Sequence, residues 1–229
     1  MEITIAGNSA NCRLQPGERY FFKNAILTGY RQFNTCLVPP FPLGSPILRM
    51  IHRSYFGMKV VEPKKGAQDI ALAGYYPQGA FHTLTIPAGE RHYVHMRNLV
   101  GFCGNLRSIQ TRIKFSLPYW CLAEHFFPIV EGPATVLLYS RSGLATSTSL
   151  NYAAERIVSF NARRPFRPTA PTPTSFSSMA YEMSLSDEVI WHFLEPGETI
   201  VETYQEGMDG TERLTAKELL VHMLGLYRF

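Results

Sequence analysis

Seven histidines and four cysteines are the side chains of this 229-residue chain that could hold a metal or act as nucleophiles. His92 and His95 stand three apart, a spacing that sends the two rings to opposite faces of a strand. Metalloenzymes of the double-stranded β-helix type usually place their first two histidines two apart, and no His-x-His occurs here. His82, Glu90, His92 and His125 can meet only through the fold. Cys12, Cys36, Cys103 and Cys121 form no Cys-x-x-Cys pair, so free thiols in a reducing compartment are expected. A Gly-x-Ser-x-Gly elbow and a phosphate-cradling Gly-rich loop are both missing, which argues against acyl transfer and nucleotide chemistry. Glu124-His125 beside Phe126-Phe127 has the parts of an acid/base pair, but such a dipeptide more often marks a turn next to a buried ring. The expectation is therefore no catalytic residue, no metal ligand and no cofactor.

Charge pairs recur more regularly. Glu18-Arg19, Glu90-Arg91 and Glu155-Arg156 each sit inside a similar stretch, at residues 14–22, 86–94 and 151–159. Leu27-Thr28-Gly29-Tyr30 echoes Leu99-Val100-Gly101-Phe102 at the same offset from the first two pairs. As chemistry, the pairs would form a ring of binding charges. As structure, each Glu caps backbone amides after a turn while each Arg forks onto a carboxylate across the repeat. The structural reading is preferred, because the charges recur with the element that carries them.

The elements that must position these residues are strands. Period-two alternation or compact apolar runs fall at 3–6, 20–24, 57–62, 69–73, 81–86, 92–96, 109–116, 135–139, 156–160, 178–183, 189–193 and 199–203. Pro/Gly turns separate them. A Pro-rich insertion over 163–177 is expected to be extended and exposed, with Pro-x-x-Pro spacing. Thr215-Ala216-Lys217-Glu218 has capping-box spacing, and Leu219, Leu220, Met223, Leu224 and Tyr227 follow as an apolar stripe at helical period. That stripe is a candidate partner-binding face on a C-terminal helical extension, 205–229.

Composition sets bounds on partners. The chain is 45% hydrophobic and only 17% charged, with a formal net charge of +4. So few charges suit a surface partly covered by another subunit, hence an expected homo-oligomer. Arg49, His52, Arg53, Tyr55, Phe56, Lys59, Lys64 and Lys65 interleave basic side chains with rings, as single-strand binders do, but the net charge is far too mild for a strong nucleic-acid signal. No signal-peptide pattern opens the sequence, and no apolar run nears the roughly 18 residues that span a bilayer. A soluble, cytoplasmic protein is expected.

Several stretches together resemble the altered inheritance of mitochondria protein 24 family. Residues 14–22 and 85–94 are similar to its Leu-x-x-Gly-Glu turn and following strand. Residues 49–56 and then 69–85 resemble its basic-aromatic segment, apolar strand, Pro/Gly turn and next strand. Residues 131–138 and 195–203 resemble its recurrent Gly-Pro-Gly-x-Val strand entry. Met58 departs from the Glu that often follows the position of Gly57, and 165–174 stands as an insertion. The resemblance covers about residues 3–204. It implies an all-β, TRAP-like fold, after the tryptophan RNA-binding attenuation protein: a double-stranded β-helix or β-sandwich of duplicated halves, about 1–80 and 81–204; the short C-terminal α-helix expected from the capping box and apolar stripe lies outside the shared region. It carries over no catalytic residue and implies a scaffold more than an enzyme. A metal- or small-molecule-dependent enzyme and an RNA-binding module are the alternative expectations.

Overall fold

The computed structural model describes residues 1–22, 27–28, 36–37, 59–63, 66–74, 76, 78–95, 98–104, 109–113, 126–169 and 190–203. These form an all-β structure of antiparallel sheets packed face to face, and the expected C-terminal helix and the strand expected at 178–183 lie outside the described residues. One sheet has four strands in the order β1 (Glu2–Ala6), β2 (Ser9–Leu14), β7 (Gln68–Ala73), β4 (Leu27–Thr28). The second has six: β5 (Cys36–Leu37), β6 (Lys59–Val61), β3 (Tyr20–Phe22), β10 (Leu99–Cys103), β13 (Ala134–Ser140), β8 (Ala80–Ile86). The third also has six: β11 (Ile109–Ile113), β12 (Phe126–Glu131), β9 (Arg91–Val94), β16 (Ile157–Asn161), β19 (Thr199–Glu202), β14 (Leu144–Ser147). A fourth joins β15 (Asn151–Ala153), β18 (Ile190–Phe193) and β17 (Phe166–Thr169).

Three apolar clusters glue successive sheets. Ala10, Cys12, Leu14 and Ile70 of the first sheet meet Tyr20, Phe22 and Leu137 of the second. Phe102, Val136 and Leu138 on its other face meet Val94, Val130 and Val158 of the third. Tyr93, Ile157 and Phe160 of the third then meet Tyr152, Trp191 and Phe193 of the fourth. The outer strand β2 alternates, with Ala10, Cys12 and Leu14 buried and Asn11 and Arg13 exposed. An inner strand such as β10 has protein on both faces, so Leu99, Val100 and Phe102 are all buried. A bulge between Leu99 and Gly101 lets Leu99 and Phe102 reach the same cluster despite their odd spacing.

One ladder occurs three times. Leu72 of β7 pairs with Ala10 and Leu27, Leu138 of β13 with His82 and Leu99, and Val201 of β19 with Ala145 and Ile157. The strand order β2-β7-β4 is thus matched by β8-β13-β10 and β14-β19-β16.

The Pro-rich stretch differs from its expectation at its start. Phe166–Thr169 is strand β17, paired with β18, and Phe166 stacks on Trp191 with ring centroids 4.8 Å apart. Arg164 is only 8% exposed. Prolines cannot donate to a ladder but are tolerated on an edge strand, and β17 is one. Residues 170–177 lie outside the described residues.

Candidate functional site

The first two Glu-Arg pairs sit in the same turn. In each, a glycine with positive φ (Gly17, 85°; Gly89, 81°) precedes the Glu. The Glu18 and Glu90 amides each donate, over 3.1 Å, to the carbonyl three residues back, a closure that favours glycine at the left-handed position. Both turns deliver the next residue to a cross-strand carboxylate: Arg19 to Glu62 at 2.9 Å and Arg91 to Glu131 at 3.1 Å. The glutamates diverge. Glu18 accepts from the Met1 amine and, over 2.8 Å, from the Gln15 amide. Burial pushes its carboxyl up, but these donors hold it below its ordinary value. Glu90 lies 3.6 Å from Nε2 of His92.

The third pair is built differently. Ala154–Arg156 is a single 3-10 turn, and the Arg156 guanidinium donates twice to the Glu202 carbonyl, over 3.1 and 2.9 Å. The side chain of Glu155 lies outside the described residues. The structure therefore leaves the three arginines at separate places: on the second sheet, on the third, and at the end of β19.

His92 is the histidine with the most chemical potential. Burial holds its imidazole below the ordinary value, with Glu90 opposing, and its buried Nδ1 has no hydrogen-bond partner. Burial also lowers His82. His95 instead packs edge-on against Tyr93. Among the described residues no group of three or more His, Cys, Asp or Glu is placed to hold a metal ion. Glu124, His125, the 49–56 segment and the stripe Leu219, Leu220, Met223, Leu224 and Tyr227 lie outside the described residues.

Several buried polar groups carry no sequence signature. Arg164 is the strongest case. Its Nε and Nη2 donate to the Glu195 carbonyl over 3.2 and 2.9 Å. Its Nη1 reaches Thr199 Oγ1 at 2.7 Å and the Glu198 carbonyl at 3.4 Å. The guanidinium also lies 4.1 Å over the Phe193 ring. Asn98, 2% exposed, donates to Glu202 Oε1 (2.6 Å) and to the Tyr139 carbonyl (3.2 Å). Tyr139 in turn accepts the Tyr76 amide at 3.0 Å, while Asn8 donates to the carbonyls of Gly74 and Tyr76. Each network ties a loop to a strand end, joining residues 31 to 104 positions apart, a distance no local spacing encodes.

The thiols are shielded. Burial pushes Cys12 up to about 12, with a hydrogen bond from Tyr20 opposing and Cys103 adding to the rise. Cys103 is raised too, first by burial and then by Glu18. At Cys103 the Met1 amine and a backbone hydrogen bond at Arg19 oppose that rise without cancelling it. Large apolar side chains exposed among the described residues are Ile5, Leu150 and Leu194, and the Phe193 amide bonds the Leu150 carbonyl, so the last two adjoin.

Fold and site together define an all-β protein of stacked antiparallel sheets in which Arg156, Arg163 and Arg164 are engaged with backbone carbonyls. No family model matches the chain, and no curated protein matches it. Among solved structures it is similar to protein SPYM3_0169 from Streptococcus pyogenes, with a TM-score of 0.60 and 16% identity over 89% of this chain and 94% of that one. At that identity the likeness is one of fold. No helix among the described residues is long and apolar enough to cross a membrane.

Proposed function

We propose that the protein is a non-catalytic β-scaffold that works by assembling with itself and with a protein partner. The observation that supports this most is the use of its polar groups. Arg164, Arg156, Asn98 and Tyr139 are committed to backbone atoms of neighbouring loops and strand ends, a use that rigidifies a surface rather than presenting reactive atoms. The recurring ladder register supports a repeated unit, and its three occurrences favour three copies over the two units separated near residue 80. The resemblance to the altered inheritance of mitochondria protein 24 family points the same way, toward a scaffold of the TRAP-like kind.

Light scattering on the full chain tests the reading. An oligomer is expected, and a monomer would overturn self-assembly. Deleting 214–229 separates the contribution of the apolar stripe: a lower mass assigns the stripe to assembly, and an unchanged mass assigns it elsewhere. One observation favours a second reading, a metal- or small-molecule-dependent enzyme: the unpartnered Nδ1 of His92 beside Glu90. Stoichiometric iron, manganese or zinc in the purified protein would decide for that alternative.

A further inference from the structure

The ends of the four sheets are not alike. Natural sheets guard an open edge with short strands, charge, proline or a covering strand, because an unguarded edge pairs with another chain. The first sheet ends in β1, five residues that begin with the charged Glu2 and cover β2. β14 and β17 have four residues each, and β17 also carries Arg167 and Pro168. β4 and β5 have two residues each and β15 three. β11 carries Arg112. β8 has none of these devices. It runs seven residues, Ala-Phe-His-Thr-Leu-Thr-Ile, with no formal charge and no proline. All seven pair with β13 in unbroken register, without a bulge. Among the described residues no second strand is hydrogen-bonded to its other side, where it ends the second sheet.

We propose that this edge is the self-association surface, and that its occupant is β8 of a second copy, antiparallel across a two-fold axis. The inference rests on the self-assembling part of the proposed function and names its seam. An antiparallel strand centred on Thr83 is its own complement: Thr83 faces Thr83, His82 faces Leu84, and Phe81 faces Thr85. Such pairing sets no like charges opposite one another, and opposed threonines are favourable cross-strand neighbours. The two faces of β8 are already occupied, Phe81 in the cluster shared with the first sheet and Leu84 against the cluster shared with the third. Among the described residues only the edge remains to be used, and pairing there joins two six-stranded sheets into one through an isologous contact. A foreign strand would gain the same backbone bonds. The second copy is favoured by this symmetry and by a charge content of only 17%.

Sedimentation velocity on the full chain between about 1 and 100 μM tests the seam, a range suited to an interface of small area. The wild type is expected to dimerise. Thr83→Lys sets two ammonium groups opposite each other and should weaken the dimer at least tenfold, while Ala145→Lys on β14 should leave it unchanged. Hydrogen exchange on the unaltered protein gives an independent reading: β8 amides should be protected more strongly at high concentration than at low, and β14 amides equally at both. A wild-type monomer throughout the range overturns both the seam and self-assembly. A dimer insensitive to Thr83→Lys, or one lost through Ala145→Lys, overturns the seam and leaves self-assembly standing.

Discussion

Replacing Arg164 with methionine keeps an unbranched stem of similar reach and removes only the guanidinium. Four donor contacts disappear with it, two to the Glu195 carbonyl and one each to the Glu198 carbonyl and Thr199 Oγ1. Glu195 and Glu198 are exposed, so water recovers much of their loss. Thr199 is fully buried, and its hydroxyl is left without that partner. One stranded buried hydroxyl costs about 1–3 kcal/mol, and the lost cation–π contact over Phe193 adds about 1 kcal/mol. A net destabilisation of about 3 kcal/mol is expected, which for a chain of this size lowers Tm by roughly 6–12 °C. Equilibrium urea unfolding followed by tryptophan fluorescence measures it, since Trp191 is buried in the adjacent cluster. Arg164→Lys should fall between the two, because a single ammonium cannot reach three acceptors at once. A loss below about 1 kcal/mol for Arg164→Met would refute the view that this side chain pins the Glu195–Thr199 turn.

Other outcomes follow from the same geometry. At Gly197 an added Cβ would lie 2.8 Å from Arg164 Cδ, and the guanidinium's acceptors keep that side chain from yielding. Gly197→Ala should therefore cost about 1–3 kcal/mol in the same assay. Gly132→Ala should cost more, since its Cβ would fall 2.0 Å from the Pro87 carbonyl oxygen, a backbone atom. Glu18 has its folded pKa below the ordinary 4.5, so its contribution is present above that value and fades as pH falls through the folded one. The stability difference between wild type and Glu18→Gln should accordingly close on acidification below pH 4.5, and a difference that persists to lower pH would contradict the contact with the Met1 amine. Cys12, raised to about 12, should resist iodoacetamide at pH 8 in the folded protein and react after denaturation, as site-resolved mass spectrometry reads.

Position in the stack does not alone decide which strands the sequence shows: the inner strands β8, β9 and β13 fall among the expected ones, whereas the outer strand Ser9–Leu14 does not, although it alternates. The Asp69–Ala73 stretch shows because Ile70 and Leu72 turn inward while Asp69 and Ala71 face water. The inner strand β10 lacks that contrast. Leu99-Val100-Gly101-Phe102 is apolar throughout because sheets cover both sides, so it registered as an echo of another stretch and not as a strand. Arg167 and Pro168 masked β17, whose apolar contribution is Phe166 alone. The Glu-Arg pairs are legible where the preceding turn is shared, at Glu18 and Glu90. The likeness at Glu155 is one of letters, since a 3-10 turn replaces the glycine reversal there. Asn98 and Glu202 meet across 104 residues, and their pairing exists only once the sheets have stacked.

The strand laid along β2 has a bearing on size. β1 covers β2, so that on the proposed reading β8 is the longest uncharged sheet edge among the described residues. Units with one seam each are used up in pairs, and growth halts there. Stripped of β1, a unit would offer β2 as well, and units with two different seams can link end to end without limit. If the β8 seam holds, five residues, Glu2–Ala6, stand between a finite particle and a fibre.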